Sequence, residues 1–129
     1  STAGLVFGGA NPSTTGKTET ESWNGSGWTE VADLNNGRSA LGGDGTQTSA
    51  IGAGGRPGNV AHSETWNGSA WTEVNDLNTG RNFLQGDGAS NSSNLAMGGG
   101  PPNTGKTELK FSIFQSSTPV NPKGWIYRL

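Results

Sequence analysis

One stretch has the residue order of a nucleotide-handling motif: Gly100-Pro101-Pro102-Asn103-Thr104-Gly105-Lys106-Thr107 satisfies GxxxxGK[ST]. In that motif the loop amides and the first turn of a following helix converge on phosphates. Here the residues after Thr107 read ELKFSIFQSS, which alternates with the period of a strand, so no helix is expected to follow. The related loop near Thr15 has Asn11 where the first glycine belongs, and no metal-binding Asp follows an apolar strand downstream. The segment therefore reads as a turn between strands.

The carboxylates give the next candidates. Glu30, Asp33 and Asp44 recur as Glu73, Asp76 and Asp87. General acid/base work needs two carboxyls held in different environments at one unique place. Groups that return with every repeat are instead expected to cap loops or to pair with the recurring Arg38 and Arg81. His62 is the sole histidine and stands where the first copy has Glu19. With no Cys and no second His, a zinc site is not expected, and His62 reads as an exposed strand or loop residue. No run of alternating oxygen ligands resembles a calcium loop, and no G-x-S-x-G elbow presents a nucleophile. Asn24-Gly25-Ser26, Asn67-Gly68-Ser69 and Asn91-Ser92-Ser93 fit the glycosylation pattern, but hairpin turns already explain the first two. The expectation is a non-enzyme with no cofactor and no metal.

These residues sit on a repeat. ESWNGSGWTEVADLNNGRSALGGDG from Glu21 matches ETWNGSAWTEVNDLNTGRNFLQGDG from Glu64, with Trp23 on Trp66, Trp28 on Trp71 and Arg38 on Arg81 at an offset of 43 residues. Upstream of each copy lies a short run ending in glycines: LVFGG at Leu5, AIGAGG at Ala50 and LAMGGG at Leu95. Trp-Asn-Gly-Ser-x-Trp reads as two strand ends joined by a tight loop, with the paired tryptophans facing each other. Trp-Thr-Glu-Val alternates as a half-buried strand, Asp33 to Gly37 is a loop, Arg38 to Leu41 begins the next strand, and Asp44-Gly45 turns it. No window carries a 3.6-residue apolar period, so no helix is predicted.

Composition agrees with short strands and many turns: 129 residues, 29% apolar, 23 Gly, five Trp and no Cys. The net charge of −2 has no Lys/Arg cluster, which argues against nucleic acid as a partner. No apolar run approaches the roughly 20 residues of a membrane-spanning helix, so membrane insertion is not expected.

Four short strands within about 43 residues fit the dimensions of a propeller blade. From Arg38 to Gly80 the chain resembles one kelch module, with Gly54-Gly55, Trp66 (where kelch usually has Tyr) and Trp71 in the characteristic places. Its departures are a shorter length and an apolar strand diluted by Ala and Gly. Trp-Asn-Gly-Ser variants of this kind are similar to kelch-type repeats in appendage and tail-fibre proteins of marine bacteriophages. The resemblance implies an all-β fold of two and a half to three four-stranded antiparallel kelch-like β-propeller blades: residues 1–37 lacking the first strand, 38–80 complete, 81–115 degenerate, and 116–129 a linker and docking segment. Propellers need about four to eight blades, so an incomplete ring or a piece of a larger propeller is expected.

Trp23, Trp28, Trp66, Trp71, Arg38, Arg81, Gly54 and Gly55 are the expected structural anchors, with Trp28 and Trp71 buried at equivalent places. The loops after the glycine pairs differ most between copies, which makes Lys17, Arg56, His62 and Lys106 the candidate ligand contacts. The expected function is a non-catalytic structural or adhesive module on a virion appendage or another extracellular assembly. Other protein chains, as copies of itself or the remainder of a longer polypeptide, are the expected partners, with a host surface glycan as a further class. The alternative is a carbohydrate-binding or enzymatic propeller domain of a larger secreted protein.

Overall fold

The computed structural model describes residues 2–13, 16–90 and 93–100. Nine strands occur in chain order: β1 (Gly4–Phe7), β2 (Thr20–Trp23), β3 (Trp28–Val31), β4 (Gly42–Thr46), β5 (Ser49–Ala53), β6 (Ser63–Trp66), β7 (Trp71–Val74), β8 (Asn82–Ser90) and β9 (Ser93–Gly100). They form three antiparallel sheets of order β1-β2-β3, β4-β5-β6-β7 and β8-β9, and the described residues contain no helix. The fold is all-β, and the described sheets close no ring. Residues 101–115 of the expected third blade, the segment 116–129, and Lys106 lie outside the described residues.

The repeat is visible atom by atom. Asn24 and Asn67 close their hairpins alike: each side-chain Oδ1 accepts hydrogen bonds from the amide and hydroxyl two residues on and the amide three residues on, at 2.9–3.0 Å. The Asn side chain thus folds the turn, while the positive φ falls on Gly25 and Gly68 alone. Register then places Trp23 opposite Trp28 and Trp66 opposite Trp71.

The glycine pairs have a steric cause. Gly8 and Gly54 have φ of 69° and 67°, and a Cβ on Gly54 would lie 2.5 Å from the Arg81 carbonyl oxygen. Their amides donate to the Glu19 and His62 carbonyls, and those of Gly9 and Gly55 donate to the Arg38 and Arg81 carbonyls at 2.8 Å. Each pair therefore ends one strand and locks the chain onto the start of the next repeat.

That start is not the expected strand. Arg38 and Ser39 form only single bridges, Ala40 adopts a left-handed φ of 52°, and the strand begins at Gly42. Phe83 repeats the feature at 53°. Asp44-Gly45 lies inside β4, and Gln47-Thr48 makes the turn. A left-handed residue breaks a ladder, so the arginine leaves the sheet and its side chain can run between sheets.

Alternation gives each sheet two faces. In the first, Leu5, Phe7, Thr20, Ser22 and Val31 point one way, while Val6, Glu21, Trp23, Trp28 and Glu30 point the other. In the second, Ala50, Glu64, Trp66 and Trp71 oppose Ile51, Ala53, Ser63 and Val74. The core lies between sheets. Leu34, Ala50, Trp66 and Trp71 are packed by Leu5, Phe7, Val31 and Leu41, and a second cluster joins Ala53, Leu77 and Leu84. The tryptophan-bearing face of the second sheet is thus covered by the first, and its opposite face by the third.

Candidate functional site

The junction between the first and second sheets shows what the tryptophan-bearing face requires. Trp66 and Trp71 stack with centroids 5.5 Å apart and are 1% and 6% exposed. Phe7 meets Trp71 edge-on at 4.7 Å, with Gly43 and Gly52 leaving room for its ring. The Trp71 indole N–H donates to Thr20 Oγ1 at 3.0 Å, and that of Trp66 to the Gln47 carbonyl at 2.8 Å. The Gln47 amide in turn donates to Ser22 Oγ and the Trp23 carbonyl, tying the two sheets at their ends.

Beside the indoles lies a buried ion pair. Arg38 Nη2 donates to Glu64 Oε1 at 2.9 Å, and Nη1 donates to the Gly54 and His62 carbonyls. Glu64 also accepts from the Asn35 amide, the Asn35 side chain and the Asn36 amide at 2.8–3.3 Å. Burial lowers the Arg38 guanidinium from its usual range, and the Glu64 carboxylate opposes that shift. Because every guanidinium nitrogen and both carboxylate oxygens have a hydrogen-bond partner, the pair can be carried inside without an orphaned charge.

The recurring Arg38 therefore pairs with Glu64, and not with Glu30, Asp33 or Asp44. Asp44 caps backbone instead, accepting from Gly45 N and, across to β8, from Gly88 N. Glu64 is the site residue that sequence reasoning missed. Its signal was present, since Glu21 and Glu64 both stand two places before the first tryptophan of the pair.

The first sheet carries the same face with nothing against it among the described residues. Trp23 and Trp28 stack at 5.3 Å, but Trp28 is 52% exposed, so the expectation of a buried anchor fails there. Val6, on the same face, is also 52% exposed. Glu21, the counterpart of Glu64, is exposed and its side chain has no hydrogen bond or ion pair with the described residues. The physical reason is positional. Trp71 is buried by the preceding sheet, and no described sheet precedes Trp28.

No family model matches the chain, and no curated protein matches it.

The expected ligand-loop residues are dispersed. Lys17 pairs with Glu19 at 2.6 Å, Arg56 lies 5.9 Å from the exposed Phe83 ring centre, and His62 faces Glu73 and Asp76. Arg81 donates to the Gly98 carbonyl just as Arg38 does to that of Gly54. A groove of about 490 Å³ runs between the first strand and β4, lined by Thr2, Leu5, Phe7, Asp44 and Gln47 among others. Its one carboxylate, Asp44, is engaged with backbone amides, so the groove presents no acid/base pair. Among the described residues no helix is long and apolar enough to cross a membrane.

Proposed function

We propose that the chain is a non-catalytic structural module built of kelch-like β-propeller blades, which assembles by stacking blade on blade, on a virion appendage or another extracellular assembly. The observation that carries this reading is the contrast between Trp71, buried by the blade before it, and Trp28, its counterpart on an uncovered face. The stack is head-to-tail, since each blade offers one kind of face to the blade before and the other kind to the blade after. Interfaces of this heterologous kind generate rings or open arrays.

Covering Trp28 would remove about 100 Å² of indole from water, a gain of about 2.5 kcal/mol. Glu21 would gain partners if the incoming blade supplied an Asn-x-Gly-Arg loop like Asn35 to Arg38. Val6 stands where the second sheet has Gly52, which makes room for Phe7. An incoming blade with a residue smaller than Phe7 at the position of Phe7, as Ala53 is, would fit against Val6.

Sedimentation velocity of the 129-residue chain tests the reading. Oligomers at micromolar concentration that Trp28→Asp disperses, with the circular dichroism spectrum retained, are expected. A compact, cooperatively folded monomer throughout that range would overturn it. The exposed indole favours one alternative, stacking on a glycan ring, for which the sign would be saturable glycan binding lost in Trp28→Ala by a chain that stays monomeric.

A further inference from the structure

The two repeats share a backbone hydrogen bond where the loop that follows the glycine pair ends, but the acids there have different neighbours. Leu34 N donates to the Thr18 carbonyl and Leu77 N to the Ala61 carbonyl, both at 2.9 Å, so the segments superimpose in hydrogen bonding. In the first repeat the acids have internal partners: Lys17 Nζ sits on Glu19 at 2.6 Å, and Thr18 Oγ1 lies 3.2 Å from Asp33 Oδ2. In the second repeat Val60 and Ala61 replace the lysine and the threonine, and His62 replaces the glutamate.

What remains is a convergence of donors without a cation. His62 Nδ1 lies 3.6 Å from Glu73 Oε1 and 3.7 Å from Asp76 Oδ1, and the donor atoms of the three residues fall within 4.8 Å of one another. Among the described residues Nδ1 is shut off from solvent and has no hydrogen-bond partner, although the side chain as a whole is 40% exposed. Arg38, which anchors the His62 carbonyl, has its charge balanced by Glu64. Among the described residues no Lys or Arg lies within ion-pair distance of Glu73 or Asp76, and Arg38, whose charge both favour from farther off, pairs with Glu64.

We propose that His62, Glu73 and Asp76 bind a divalent first-row transition ion of the zinc type. Metal–ligand bonds of about 2.1 Å put neighbouring donors about 3.4 Å apart in a tetrahedral shell. The two measured separations exceed that by a few tenths of an ångström, and Glu73 and Asp76, about half exposed, can swing to close them. One imidazole with two carboxylates suits zinc, cobalt or manganese better than calcium, which prefers an all-oxygen shell. The three donors leave at least one position open to solvent.

The test is calorimetric titration of Zn²⁺ into the untagged chain, with Co²⁺ absorption as a second readout and Mg²⁺ and Ca²⁺ as controls. One equivalent of Zn²⁺ is expected. His62→Gln and Asp76→Asn should each weaken it by at least about tenfold, and Val60→Lys should displace the ion with an internal ammonium while the circular dichroism spectrum is kept. Because the chain has a single histidine, Co²⁺ should also shift one set of imidazole resonances in the unmodified protein, whatever the variants do. Absence of saturable Zn²⁺ binding, imidazole resonances that Co²⁺ leaves in place, or uptake by folded His62→Gln or Val60→Lys equal to that of the unmodified chain, would overturn the proposal.

Discussion

Arg38, where the second repeat starts, and Glu64, in the middle of the second sheet, form an ion pair of 2.9 Å with side chains 1% and 0% exposed. Asn35 and Asn36 of the preceding repeat also donate to Glu64, so the pair sits at the junction between two repeats. Its consequence for stability is asymmetric, because either partner alone would be a buried, uncompensated charge.

Glu64→Gln should therefore lower unfolding stability by about 3–5 kcal/mol, and Arg38→Met by a similar amount. The double variant should recover part of the loss, since no lone charge remains. Glu21→Gln, at the exposed counterpart, should change the stability of the dissociated chain by less than about 0.5 kcal/mol. Urea unfolding followed by far-UV circular dichroism measures all four.

The tryptophans should divide in the same way. Trp71→Ala removes a buried ring packed by Phe7 and should cost about 3–5 kcal/mol, whereas in the dissociated chain Trp28→Ala loses little beyond its pairing with Trp23, about 1 kcal/mol. Below the concentration at which the chain self-associates, acrylamide should quench the fluorescence of Trp28 and leave that of Trp71 protected. Equal costs for the two substitutions would show that the faces are not in different environments.

Two glycines of nearly equal φ separate backbone strain from steric exclusion. Gly58, at 70°, faces open space, while Gly54, at 67°, has the Arg81 carbonyl and the Leu84 side chain where a Cβ would go. Gly58→Ala should cost about 1–2 kcal/mol for the left-handed backbone alone. Gly54→Ala should cost at least about 1 kcal/mol more, read from thermal melts of the two variants.

The phosphate-loop match from Gly100 to Thr107 should be inert. Titration of magnesium and ATP into the chain should give no heat of binding. A saturable signal weakened by Lys106→Ala would refute this.

Much of the fold was legible because it is written in local chemistry. The Trp-Asn-Gly-Ser-x-Trp hairpins, the glycine pairs and the absence of a helical period follow from turn preferences and the two-residue period of strands, which act over a few neighbouring residues. The 43-residue offset likewise showed that whatever one copy builds, the next builds again. Arg38 to Leu41 misled the strand assignment because apolar pattern carries no sign of the left-handed φ at Ala40, a conformation set by the bridges that Lys17 and Arg56 make to Arg38 and Ser39.

What only the tertiary structure decided is which copies of the repeated residues are covered. Trp28 and Trp71, or Glu21 and Glu64, stand in matching sequence and matching register, yet one of each is exposed and the other buried. Burial belongs to the neighbour and not to the residue: Phe7, Thr20 and Asn35 of one repeat, with Arg38 where the second starts, close over Trp71 and Glu64, from 26 to 51 residues away for the polar contacts. The convergence of His62 with Glu73 and Asp76 is of the same kind. It depends on β6 and β7 pairing in register and on the side chains that Val60 and Ala61 do not provide, and neither is visible until the strands are side by side.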